Sequence, residues 1–80
     1  MDPPHINYVD YRSILIVNPT GKIRQLFCPF RVQVLYDTSI LMQKSWVMVD
    51  EVKQHREHLL LYRVGEHWWT YDLFRIAATF

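Results

Sequence analysis

The sequence predicts an all-β domain of antiparallel strands, on three observations. Val, Ile, Thr, Tyr, Phe and Trp supply 30 of the 80 residues, whereas Ala, Glu and Lys together supply 8. β-Branched and aromatic side chains suit a pleated, half-buried surface. There are only two glycines, where average usage gives about six, and each lies between two apolar runs, where a tight turn needs positive φ. Residues 30–36 alternate apolar and polar, the period of a strand with one buried face.

Taken in order, residues 1–11, with Pro3 and Pro4, read as a loose arm, and residues 12–80 as a single β domain. The first glycine closes Asn18-Pro19-Thr20-Gly21. Pro at the second position presets a type I turn, and Gly at the fourth accepts the left-handed conformation of a G1 bulge. Residues 12–17 and 22–27 then form an N-terminal hairpin. Pro29 donates no ladder bond and marks a bend before the strand at 30–36. A loop opens at Asp37-Thr38-Ser39, a strand follows at 45–52, and Lys53-Gln54-His55-Arg56-Glu57-His58 reads as a polar hairpin tip.

The second glycine, in Gly65-Glu66, is the Gly-x pair of a two-residue type II′ turn joining 59–64 to 67–71. Counting outward sets Val64 opposite His67, Arg63 opposite Trp68, Tyr62 opposite Trp69, Leu61 opposite Thr70 and Leu60 opposite Tyr71. Leu60, Tyr62, Val64, Trp69 and Tyr71 form the core face, and Arg63 and Trp68 meet solvent. Asp72 to Ile76 reads as a short turn running into a last brief strand. The rival is an α+β fold with a helix near 44–58, since Leu41, Met48, Val52, His55 and Leu59 fall near one helical face. The β-branched Val47, Val49 and Val52 and the lack of an N-cap argue against it.

The order from Phe30 onward is strand, loop, strand, polar tip, strand, tight turn, strand, short helical turn, final strand. It is carried by Phe30-Arg31-Val32-Gln33-Val34, by 41–49, by Leu60-Leu61-Tyr62-Arg63-Val64 and by 69–76. This order resembles small SH3-like barrels of uncharacterised bacterial and phage proteins, which often place Gly after a basic pair where this chain has Ser45. The resemblance implies a small SH3-like barrel with an extra N-terminal β-hairpin. Such barrels serve as peptide-binding, nucleic-acid-binding or structural modules, so fold alone does not choose a function.

Eighty residues and 9.7 kDa make one domain, and a chain this short buries only about 60% of its unfolded surface. Nine Lys and Arg against 8 Asp and Glu leave a net charge of +1, too little for a whole-molecule affinity for nucleic acid or anionic lipid. No run approaches the roughly 20 apolar residues of a membrane helix, and the N-terminus lacks the pattern of a secretory signal. Cys28 is the only cysteine, so no disulfide forms within the chain, and a reduced, cytoplasmic setting is expected.

Catalysis is not expected. Nothing sets a base beside Cys28, Ser13, Ser39 and Ser45 lie in no nucleophile elbow, and two isolated glycines make no phosphate loop. His55, His58 and His67, with Glu57 and Glu66, are the nearest approach to a metal cluster. The register puts His67 at the opposite end of its hairpin from the His55/His58 tip, so no metal or cofactor is expected. The aromatic and arginine residues carry the expected function, a non-catalytic protein-interaction or self-association module. Its binding face is expected around Trp68, Arg63, Trp46 and Arg75; the purely structural reading of the same residues is a cross-strand cation–π pair in which Arg63 stacks on Trp68 and shields it. The partner is a protein or a second copy of the chain, with no membrane. The alternative is a nucleic-acid-binding barrel using Arg24, Arg31, Arg63 and Trp68, from a loose basic set of Arg12, Lys22, Arg24 and Arg31.

Overall fold

The computed structural model describes residues 5–56 and 59–77. Nine strands run through them: β1 His5–Asp10, β2 Ser13–Val17, β3 Ile23–Phe27, β4 Phe30–Val34, β5 Trp46–Val49, β6 Glu51–Arg56, β7 Leu59–Val64, β8 His67–Thr70 and β9 Phe74–Ile76. A 3-10 turn at Tyr71–Leu73 precedes β9, and there is no α-helix among the described residues. The segment that could have coiled is strand because its β-branched residues have an interior to fill: Val49 and Val52 are fully buried and Val47 packs against them.

The strands form three small antiparallel sheets, ordered β1-β2-β3, β5-β4-β9 and β6-β7-β8. They do not close into a barrel. β5 and β6 are one run of chain that passes from one sheet to the next at Asp50. There the Asp50 N–H donates to the Arg63 carbonyl (2.9 Å), while Glu51 also faces Arg63. Two residues thus oppose one, which lets both Val49 and Val52 point inward although three positions separate them. The first sheet meets the third through the Val52 N–H, which donates to the Tyr11 carbonyl at 2.8 Å.

Both glycine turns form as the residues require. Gly21 has φ +87° and Gly65 +64°. The Gly21 N–H donates to the Asn18 carbonyl (2.9 Å), and the Asn18 side-chain oxygen accepts from the Thr20 and Lys22 N–H groups (3.1 and 2.8 Å). Around Gly65 four of the five expected pairs are present, Val64–His67 to Leu61–Thr70. The fifth is not, because β8 ends at Thr70 and Tyr71 enters the 3-10 turn.

Two segments expected to be irregular are strand instead. The expected loose arm holds β1, whose residues 5–8 pair with 17–14 of β2. Ile6 and Tyr8 alternate inward onto the core, and Asp10 caps the reversal by accepting from the Arg12 N–H (2.8 Å) and the Ser13 hydroxyl (3.2 Å). Pro3 and Pro4 lie outside the described residues. The expected polar tip is largely strand, since Lys53 to Arg56 continue β6 against Leu61 to Leu59. Their polarity reflects an exposed face rather than a turn. Glu57 and His58 lie outside the described residues.

The core joins all three sheets: Ile14 and Ile16 from β2, Phe30, Val32 and Val34 from β4, Val49, Val52, Leu60, Tyr62 and Phe74. Tyr62 is the largest of its fully buried side chains. The faces assigned to the β7-β8 hairpin hold, with Val64, Trp69 and Tyr71 packed against that core and Trp68 exposed.

Candidate interaction face on the β4 sheet

Alternation along β4 turns Phe30, Val32 and Val34 inward and leaves Arg31 and Gln33 on the outer face. Gln33 lies between Trp46 of β5 and Arg75 of β9 in one cross-strand row, and Arg31 faces Met48 in the next. The Arg75 guanidinium donates to the Gln33 side-chain oxygen at 2.7 Å, and the Gln33 amide donates onward to the Lys44 carbonyl at 3.2 Å. The Arg31 guanidinium lies over the Trp46 ring, 4.6 Å from its centroid. Trp46 and Met48 each keep 45% of their surface exposed.

Beside this row the 35–45 loop and β9 enclose an open groove of about 310 Å³, lined by Gln33, Val34, Leu35, Gln43, Lys44 and Arg75. Its lining holds two cations and no acid. The loop is held by Thr38, whose hydroxyl accepts from the Leu41 N–H (2.8 Å), and by Asp37, whose carboxylate accepts from the Gln43 N–H (2.7 Å). Lys44 has φ +72°, a left-handed conformation costly for a residue with a Cβ. Its N–H donates to the Val34 carbonyl (2.7 Å), which locks the turn at the end of the β4–β5 ladder. The result is a cationic rim on an apolar, aromatic platform.

Of the four residues expected at one binding face, Trp46 and Arg75 share this row, whereas Trp68 and Arg63 lie on the β6-β7-β8 sheet. The expected stacking of Arg63 on Trp68 is corrected. The two are cross-strand partners, but the Arg63 guanidinium donates to the Glu51 carboxylate (3.2 Å) and the Gly65 carbonyl (3.0 Å). A carboxylate accepts charge-assisted hydrogen bonds that a ring face cannot match. Trp68 instead has the Lys53 ammonium 5.8 Å from its ring centroid.

The nucleic-acid set is spread more widely: Arg24 lies on β3, Arg31 on β4, Arg63 on β7 and Trp68 on β8, in three sheets. His55 and His67 are both exposed, and no group of three or more metal-ligating side chains converges among the described residues. Cys28 is buried, and that burial pushes its thiol pKa up, away from the reactive thiolate. Ser13 is buried too, its hydroxyl accepting from the Gln25 amide at 3.2 Å. No helix among the described residues is long and apolar enough to cross a membrane.

Sequence reading missed Gln33, Gln43 and Lys44. Gln33 was legible as an outward position in an alternating strand. The loop residues were not, because a left-handed Lys44 leaves no compositional trace. No protein family, curated protein or solved structure matches the chain.

Proposed function

We propose that this chain is a non-catalytic protein-interaction module that docks an anionic peptide segment of a partner across the β5-β4-β9 face. The observation that carries this reading is the row in which Arg31 lies over Trp46 and Gln33 stands between Trp46 and Arg75, beside a groove lined by Lys44 and Arg75 and by no acid. A carboxylate of the peptide reaches the groove between Lys44 and Arg75, and an adjacent apolar side chain lies on Trp46 and Met48. Aromatic and arginine side chains held together in this way are the usual anchors of interfaces. The SH3-like part of this reading draws its support from strand order. β4 lies between β5 and β9, the β5–β6 run is shared between two sheets, and a 3-10 turn precedes the last strand. A reduced, cytoplasmic setting, in which a lone buried Cys28 stays a thiol, accords with this reading.

The test is a titration of 15N-labelled protein with a peptide of alternating Glu and Leu. Saturable shifts at Lys44, Arg75 and the Trp46 indole, weakened by salt and lost in Trp46→Ala, support docking. Absence of shifts, or shifts unchanged in Trp46→Ala, removes it. The nucleic-acid alternative is less well supported, since its residues are spread over three sheets and Arg63 is engaged by Glu51. Single-stranded and duplex oligonucleotides titrated at two salt concentrations are expected to show no salt-dependent binding.

A further inference from the structure

We infer that the β3 edge is a self-association surface whose occupant is the β3 edge of a second copy, giving a continuous six-stranded antiparallel sheet across a twofold axis. Among the described residues β3 pairs on one side only, with β2. The opposite edge of the same sheet, β1, leads at Tyr11 to the bond with Val52, so β3 is the side that faces away from the body.

The parity of the ladder shows which backbone groups point outward. The Asn18 N–H donates to the Lys22 carbonyl (2.9 Å) and the Cys28 N–H to the Arg12 carbonyl (2.7 Å). Hydrogen-bonded pairs alternate along an antiparallel ladder, so the pairs between these two ends are Ile16–Arg24 and Ile14–Leu26. The N–H and C=O groups of Ile23, Gln25 and Phe27 therefore point away from β2. The side chains of the same three residues share the outer face, where Ile23 is 66% and Phe27 65% exposed.

These groups are self-complementary about Gln25. An antiparallel copy centred there sets Ile23 against the second copy's Phe27 and Gln25 against its Gln25, and each pair exchanges two backbone bonds. The apolar row Val17–Ile23 then continues into Phe27 of the copy. On the inner face Arg24 meets Leu26 rather than another arginine. Moving the axis to residue 24 opposes Arg24 to Arg24, and moving it to residue 26 sets Ile23 against Pro29, which has no N–H. Only the Gln25-centred register satisfies backbone, apolar row and charge together. The area covered is on the order of 800 Å² in total, small for a stable complex, so the dimer is a weak, concentration-dependent one.

Sedimentation equilibrium from about 10 μM to 1 mM, spanning the affinities of weak complexes, is the first test. A monomer–dimer equilibrium is expected, and a chain that stays monomeric throughout overturns the inference. Gln25→Pro removes one outward N–H and keeps the backbone ladder to β2, losing only the Gln25 side-chain bond to the Ser13 hydroxyl, and Phe27→Lys puts charge into the apolar row. Each is expected to shift dissociation at least tenfold with the circular dichroism spectrum unchanged. Where a variant misfolds, disulfide trapping decides. Gln25→Cys is expected to cross-link to itself on mild oxidation and Ile23→Cys is not, because the twofold brings only residue 25 within disulfide reach of its own copy. A dimer that survives both edge variants, or equal trapping at 23 and 25, rules out this register.

Discussion

The ring of Tyr62 meets that of Phe30 edge-on, with centroids 5.5 Å apart and planes at 90°, where β7 packs against β4. Phe74 of β9 lies 6.0 Å away on another side. Tyr62 thus ties two sheets together, yet its hydroxyl is buried with no hydrogen-bond partner among the described residues. A buried donor without a partner forfeits its hydration for nothing in return. Tyr62→Phe keeps both ring contacts and is expected to raise stability by about 1 kcal/mol, whereas Tyr62→Ala costs about 3–5 kcal/mol. Urea denaturation of the two variants checks this, and a destabilised Tyr62→Phe reveals a partner for the hydroxyl.

Stability is expected to fall in alkali for the same reason. Burial pushes the Tyr62 phenol well above its ordinary pKa of 10.0 and the Cys28 thiol above 9.0. The unfolded chain releases these protons first, so the stability is whole below the unfolded values and is lost as pH rises through and beyond them. The loss begins near pH 9 with Cys28. Above pH 10 Tyr62 adds about 1.4 kcal/mol per pH unit. Denaturation midpoints from pH 8 to 11.5 measure the slope, and Tyr62→Phe is expected to flatten its upper part.

Gly65→Ala isolates a backbone effect. A Cβ at Gly65 meets nothing within 4 Å, but φ is +64°. The expected cost is about 1–2 kcal/mol, and Gly65→Asn, which tolerates the left-handed region better, recovers part of it. Equal stability of Gly65→Ala and the native chain in thermal melts contradicts this account.

Trp46 and Trp68 separate docking from folding. Both rings are partly exposed, and their cation contacts with Arg31 and Lys53 are each worth about 0.5–1 kcal/mol at exposed sites. Either substitution by Ala is expected to cost little more than that. Only Trp46→Ala is expected to abolish acidic-peptide binding, because the groove lined by Lys44 and Arg75 lies on the β5-β4-β9 sheet with Trp46, whereas Trp68 lies on another sheet. Calorimetric titration of both variants tells the two faces apart.

Lys44 offers a charge test free of strain. Lys44→Gly keeps the left-handed turn at no steric cost and removes one groove cation. Stability is expected to stay within about 0.5 kcal/mol, while affinity for an anionic peptide falls several-fold. A fall in stability with unchanged affinity assigns Lys44 to the turn alone.

Local chemistry by itself determined the extended chain, the two glycine reversals and the faces of the Gly65 hairpin. A turn of two residues sets its own register, and period-two alternation then sorts inward from outward side chains. Local chemistry also singled out Trp46 and Arg75, which the fold sets in one cross-strand row. It did not determine that β1 would pair, because a short alternating segment becomes a strand only when a neighbour such as β2 completes its hydrogen bonds. Nor could it show that the run through Asp50 serves two sheets, or that Arg63 turns to Glu51 rather than Trp68. Those outcomes depend on which groups compete for one donor once distant strands converge. Tertiary structure alone decided that competition, and with it the meeting of Arg31, Gln33, Trp46 and Arg75 on a single face.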